Sequence, residues 1–220
     1  MTVEQVLAEL RALATDADRE GMKRFAIDDP TAFGVRTPEL QKLAKRLGVD
    51  HALALRLWRT GQFEAKAVGA RIADPAKMTP ALMDRWAADL RSWADCDNAC
   101  FYLFDKTPYA WTKALAWAAR DEEFVKRAGF AVMAALAIHD KAVPDARFAP
   151  FFAAAKRAAT DNRNFVKKAV SWALRQMGKR NAKLRDRALK TAEQIAKIDA
   201  PAARWIASDV RRELRKLNRE

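Results

Sequence analysis

Apolar residues recur every three or four positions along most of the chain, which places them on one face of an α-helix. Turn residues interrupt this pattern at short intervals, and no convincing alternating strand pattern appears. The pattern therefore predicts an all-α protein. The predicted helical segments are 3–18, 20–27, 37–47, 50–60, 62–74, 79–91, 94–104, 109–120, 122–139, 144–159, 161–178, 181–197 and 201–217.

Several of these boundaries carry capping signals. Thr37-Pro38-Glu39, Thr79-Pro80 and Asp199-Ala200-Pro201 have the residue order that is typical of helix starts. Gly178 and Asn181 bracket a break between two long helices. Ser92 or Asp95 is expected to cap segment 94–104, and Asp161 or Asn162 to cap segment 161–178.

Short helices joined by short loops, with about 35–45 residues per helix pair, favour a HEAT-like α-solenoid. Segments 109–139, 144–178 and 181–217 have the pattern of three successive pairs. A globular helical bundle remains the alternative architecture. Because no linker or low-complexity stretch interrupts the pattern, we expect a single domain over 1–220.

Charge adds a prediction about partners. The net charge is +13 and the sequence pI is near 10.0, so a polyanion such as nucleic acid is the expected partner. Most of the excess lies in residues 161–220, which hold 17 lysines and arginines against 7 acidic residues. A solvated basic tail would explain the same count, but the helical periodicity of this stretch argues against a tail.

Segment 161–178 has two faces. One is apolar and is predicted to face the core: Val166, Ala169, Val170, Ala173 and Met177. The other interleaves aromatic and basic residues: Phe165, Lys168, Trp172, Arg175 and Lys179. We call this second set the basic stripe, and cations with flat rings on one face suit a nucleic-acid backbone. The alternative, that Trp172 only covers the core while the lysines are solvated, stays open.

Two other positions attract attention. Trp93 and Asp97 are four residues apart, so they can share one helix face, whereas Asp95 points away from Asp97. A carboxylate beside an aromatic ring can stabilise a developing cation or orient a water molecule. Arg127 lies among small apolar residues and needs a phosphate or carboxylate partner, or serves in a structural ion pair.

The sequence predicts no metal site and no cofactor. Cys96 and Cys100 are close in sequence to two aspartates, but His51 and His139 are remote, so a zinc-type ligand set is incomplete. No secretory signal and no apolar run of about 18 residues is visible, so we expect a cytoplasmic, nucleoid-associated protein without membrane contact. A monomer is the default expectation.

Four stretches together resemble the AlkD-type family of DNA alkylation-repair proteins. Residues 92–97 resemble that family's Trp-x-x-x-Asp site, and 124–128 resemble the segment that supplies its DNA-facing arginine. Residues 164–175 resemble the helix that carries its second tryptophan, and 33–39 its N-terminal turn. The resemblance spans about residues 20–197.

The resemblance implies a HEAT-like solenoid with a concave basic groove that binds double-stranded DNA containing alkylated bases. It implies a glycosylase that releases N3-methyladenine and N7-methylguanine without a base-flipping pocket. Asp97 would stabilise the sugar cation and position water, and Trp93 and Trp172 would pack against the deoxyribose backbone. Arg127 would hold a phosphate. The other expected DNA-binding residues are Phe165, Lys167, Lys168, Arg175, Lys179 and Arg180.

One position departs from that family. Its glycosylases can carry a tyrosine before the Met-Lys of an early helix, where this chain has Gly21 before Met22-Lys23. Three hypotheses therefore follow: an alkylpurine glycosylase, a non-catalytic binder of damaged or branched DNA on the same scaffold, and a protein–protein adaptor. The basic stripe disfavours an adaptor.

Overall fold

The computed structural model describes residues 1–218, and within them it confirms the all-helical prediction, with no strand. The last two residues of the predicted domain, 219–220, lie outside the described residues. The α-helices are α1 Val3–Leu13, α2 Asp16–Arg24, α3 Thr37–Leu47, α4 His51–Arg59, α5 Phe63–Ile72, α6 Pro80–Ala88, α7 Trp93–Tyr102, α8 Ala110–Ala118, α9 Glu123–His139, α10 Ala149–Arg157, α11 Asn164–Lys179, α12 Ala182–Ala196 and α13 Pro201–Leu214.

The prediction of one helix over 3–18 is wrong, because the chain breaks after Leu13 and α2 starts at Asp16. Thr15 causes the break. Its hydroxyl oxygen accepts the Asp18 amide at 3.0 Å and its hydroxyl donates to the Asp18 carboxylate at 2.8 Å. Such a local cap satisfies a helix start and competes with continuation of the preceding helix.

The caps of α11 and α3 also differ from the prediction. Asp161 does not cap α11, which begins at Asn164 after Arg163 with no side-chain cap. Instead the Asp161 carboxylate accepts two hydrogen bonds from Arg163, one from its backbone amide at 3.2 Å and one from its guanidinium Nη2 at 2.6 Å. These bonds fix the turn that precedes α11. Thr37 is the first residue of α3 rather than its cap. Thr79 caps α6 as predicted.

Contacts divide the chain into two compact units, Met1–Pro108 and Tyr109–Glu220. In the first unit, α5 is the central helix and packs against α3, α4 and α7. Phe63–Ala70 are all buried, including the charged side chains of Glu64 and Lys66. The Glu64 carboxylate accepts the backbone amides of Phe33 and Gly34 at 3.0 and 2.8 Å, which fixes the loop before α3.

The second unit contains the three predicted helix pairs, α8 with α9, α10 with α11 and α12 with α13, each in contact. The core helix α9 is buried almost along its whole length and packs against both α8 and α11. Gly129 permits this close approach. A Cβ atom there would come within 2.4 Å of the Ala118 backbone nitrogen.

Within residues 1–218 no helix is both long and apolar enough to cross a membrane. In the same part of the chain, no three His, Cys, Asp or Glu side chains lie together in a way that could hold a metal ion. Cys96 and Cys100 are buried and form no disulfide.

Candidate nucleic-acid interface

The start of α7 is held by a dense set of hydrogen bonds around Asp95. Ser92 caps the helix by accepting the Asp95 amide at 3.2 Å, and the Asp95 carboxylate accepts the Ser92 amide at 2.8 Å in return. Asp95 is 2% exposed and also accepts Lys66 Nζ at 2.9 Å. This buried ion pair joins α5 to the first turn of α7, so the helix that carries Trp93 and Asp97 has a fixed start.

Trp93 and Asp97 are both half-buried, and they lie one helical turn apart on α7. Trp93 Nε1 donates a hydrogen bond of 2.8 Å to the Phe25 carbonyl oxygen, which fixes the indole against the end of α2. Asp95, which the sequence predicts to point away from Asp97, is buried. An aromatic side chain and a carboxylate side chain, both part-exposed, therefore lie within one turn of each other on α7.

Arg127 on α9 is buried, at 6% exposed. Its Nη1 donates to the Phe165 carbonyl oxygen at 2.9 Å, and the ring centres of Phe124 on α9 and Phe165 on α11 lie 5.6 Å apart. The guanidinium thus ties α9 to the first turn of α11. The sequence left open whether Arg127 binds a phosphate or serves in a structural ion pair. This contact is structural, although its acceptor is a carbonyl oxygen and not a carboxylate.

The apolar face of α11 is confirmed, since all five of its predicted core residues are fully buried. On the basic stripe, Phe165, Trp172 and Arg175 are half-buried, and Lys168 and Lys179 are exposed. The stripe does not present three free cations. Arg175 and Lys179 both form ion pairs with Glu213 of α13.

Glu213 is ionised when it pairs with Arg175 and Lys179. Burial works against its ionisation, but hydrogen bonds from Lys179 and Arg175 outweigh it and hold the pKa of the Glu213 carboxyl below its usual range. Lys168 is the cation of the stripe that forms no ion pair within residues 1–218. The positive charge that the stripe offers to a ligand is therefore smaller than its sequence indicates.

Two other predicted DNA-binding residues have protein partners. Lys167 lies 5.7 Å from the ring centre of Trp205 on α13. Arg180 donates to the carbonyl oxygens of Ala137 and Asp140 at 2.9 and 2.8 Å. This guanidinium closes the end of α9 and so has a structural contact, while its predicted role in DNA binding stays a prediction.

Sequence reasoning missed two exposed aromatic rings beside these sites. Phe25 is 69% exposed at the end of α2, where its carbonyl accepts the Trp93 indole. Trp205 is 37% exposed on α13. The signal for Trp205 was present, because it precedes Ser208 and Arg212 at helical spacing. Phe25 lies inside the predicted segment 20–27, but α2 ends at Arg24, and its exposure at the helix end follows from that earlier end.

The comparisons with known proteins identify the family and the fold. The family model described as DNA alkylation repair enzyme matches residues 6–212, so the chain belongs to that family. One solved structure superposes with a TM-score of 0.79 at 22% identity, over 97% of this chain and 96% of that one. That protein is described as one of a new family related to the HEAT-like repeat DNA glycosylases with affinity for branched DNA structures. The fold is therefore of the HEAT-like repeat type.

No curated protein sequence gives a significant match to the chain.

Proposed function

We propose that this protein is a DNA glycosylase-like repair protein that removes positively charged alkylated purines, such as N3-methyladenine and N7-methylguanine. It would hydrolyse the N-glycosidic bond of double-stranded DNA, as a monomer in the cytoplasm. Membership of the DNA alkylation repair enzyme family supports the repair class. The observation that carries the reaction is the half-buried pair Trp93 and Asp97 on the firmly anchored start of α7.

The chemistry asked of Asp97 is modest. An alkylated purine is already cationic, so it leaves as a neutral base and most of the developing charge lies on the sugar. A carboxylate near the anomeric carbon stabilises that charge and can orient the attacking water. The Trp93 indole offers a flat, rigid surface to the deoxyribose, because its hydrogen bond to the Phe25 carbonyl fixes its orientation.

On the second unit we assign DNA-backbone contacts to the exposed side of α11. Lys168 is exposed and Trp172 and Phe165 are half-buried on this side, so a cation and two rings can meet a backbone. Arg175 and Lys179 would bind the DNA backbone only if they left their ion pairs with Glu213 and paired with a phosphate group. Arg127, being buried, would act by holding the first turn of α11.

The test measures base release from duplex DNA that contains N7-methylguanine, against a no-protein control for spontaneous depurination. We expect release by the wild-type protein and a loss of about 10²–10³-fold in rate for Asp97→Asn, the range found when one transition-state contact is removed. Asp186→Asn on the exposed side of α12 removes the same charge and should keep the wild-type rate. Thermal melts would verify that both variants fold.

A second function has one observation in its favour. The superposed protein is described as having affinity for branched DNA, and this chain has Gly21 where glycosylases can carry a tyrosine. A Cβ atom at Gly21 would meet nothing within 4 Å, so the backbone at this position has room for the start of a side chain. If the wild-type protein releases no base above background but binds DNA tightly in a salt-sensitive way, the non-catalytic binder replaces the glycosylase.

A further inference from the structure

A cluster of cations occupies the end of α13. Ser208, Arg211, Arg212, Arg215 and Lys216 line an open cavity of about 520 Å³. Each of them lies three or four residues from at least one other, so one face of the helix and the turn after it build the site. Among the residues that the structure describes, no acidic side chain lines the cavity. We call these five residues the α13 basic cavity.

The acidic residues of α13 face elsewhere. Asp209 accepts the Ser171 hydroxyl at 2.7 Å and lies 3.4 Å from Arg175 Nε. Glu213 accepts Arg175 and Lys179. Both carboxylates therefore pair with cations of α11, although Asp209 also pairs with Arg212, and they hold α11 and α13 side by side in the second unit.

The cations of the cavity are consequently short of counter-charges. Arg212 forms an ion pair with Asp209, and Arg211 Nε donates to the Ala207 carbonyl oxygen at 3.1 Å. Arg215 and Lys216 are exposed and form no ion pair in the part of the chain that the structure describes. Like charges so close together repel one another, so a bound anion would relieve a cost that the free protein bears.

Cations are also favourable near any helix C-terminus, where they interact with the helix dipole. That effect falls off within the last turn and explains Arg211 and Arg212 in part. It also favours Arg215, which is the C-cap of α13, but it does not by itself form a cavity.

We propose that the α13 basic cavity binds phosphate groups of a nucleic-acid backbone and extends the DNA surface of α11 onto α13. This proposal rests on the proposed function in one respect, which is that the bound polyanion is DNA. Guanidinium groups match phosphate oxygens with paired N–H donors, and the Ser208 hydroxyl adds a neutral donor. Neither lesion recognition nor base release requires this site, so it contributes affinity for the backbone.

The experiment compares the double variant Arg211→Gln/Arg215→Gln with the wild type. The matched control is Lys183→Gln/Lys190→Gln, which removes the same charge from exposed positions on α12. Binding to a labelled duplex and to a labelled four-way junction is followed by fluorescence anisotropy from 50 to 200 mM KCl. Each phosphate contact contributes about 0.9 to the slope of log affinity against log salt, or roughly eightfold in affinity near 100 mM. We expect the cavity variant to lose between about 1 and 2 in slope, and the control much less.

Equal losses in the two double variants would show that only net charge matters and would overturn the cavity as a site. A second measurement titrates wild-type protein with inorganic phosphate and follows the arginine Nε–H signals by NMR. Shifts at Arg211, Arg212 and Arg215, but not at Arg204, support the site. If the protein binds no DNA while these signals still shift, the proposed function fails and the phosphate site stands. Stronger capture by phosphatidylserine vesicles than by DNA would overturn the nucleic-acid assignment.

Discussion

Removal of the Lys66 ammonium should destabilise the protein strongly, because this group is the buried partner of Asp95. The two side chains are 4% and 2% exposed, and Lys66 Nζ lies 2.9 Å from the Asp95 carboxylate. The same Nζ donates to the Asp89 carbonyl oxygen at 3.0 Å and lies 5.3 Å from the ring centre of Trp58. Lys66→Met fills similar space but deletes all three interactions.

Breaking a buried ion pair by removing one partner costs about 3–5 kcal/mol, since the other charge remains buried. Asp95 keeps its hydrogen bonds from the backbone amides of Ser92 and Cys96, at 2.8 and 2.9 Å. Because those donors still solvate the carboxylate, we expect the lower end of that range, about 3 kcal/mol. Lys66→Met/Asp95→Asn removes both charges and should cost at least about 1 kcal/mol less than the sum of the single changes.

Urea unfolding followed by circular dichroism measures these free energies. The control is Lys77→Met, which breaks an exposed Lys77–Asp74 pair with an N–O separation of 3.8 Å and should cost under about 0.5 kcal/mol. A Lys66→Met variant within about 1 kcal/mol of the wild type would refute the reasoning, as would additive single changes in the double variant. Either result would mean that the start of α7 is held by its capping box alone.

Two further predictions concern packing and pH. Gly129→Ala should destabilise the protein by more than about 2 kcal/mol, since its Cβ would lie 2.4 Å from the Ala118 nitrogen. Gly21→Ala in α2, where a Cβ meets nothing within 4 Å, should be neutral or stabilising, and equal melting temperatures for the two variants would contradict this. The Arg163 guanidinium, hydrogen-bonded to Asp161, lowers the pKa of that carboxyl to about 2. A depressed pKa contributes stability above the unfolded-state value, and this contribution is lost as pH falls towards 2. The stability advantage of the wild type over Asp161→Asn should therefore shrink between about pH 5 and pH 2, and a constant difference in acid melts would disprove it.

The helices were predictable because their signals are local. Apolar periodicity and capping residues act within one or two turns, so Thr79 and Ser92 could be placed on their helices from sequence. The break at Thr15 was missed because threonine also occurs inside helices, and only its hydrogen bonds with Asp18 show that it caps one. Asp161 was misplaced for a related reason, since its arginine partner competes with the helix amides for the same carboxylate.

The sequence predicts which part of the chain carries the positive charge of the candidate interface, but not which of its cations form ion pairs. A count of residues 161–220 locates the positive excess correctly, because it needs only composition. Which cations stay unpaired depends on contacts between residues 34 to 38 positions apart, such as Glu213 with Lys179 and Arg175. Since α13 directs its two acids at α11, it neutralises much of the basic stripe and leaves its own arginines around a cavity. The positive charge with the fewest acidic partners therefore lies at the end of α13, around Arg215 and Lys216, and this makes the end of α13 the place to test how the protein holds a polyanion.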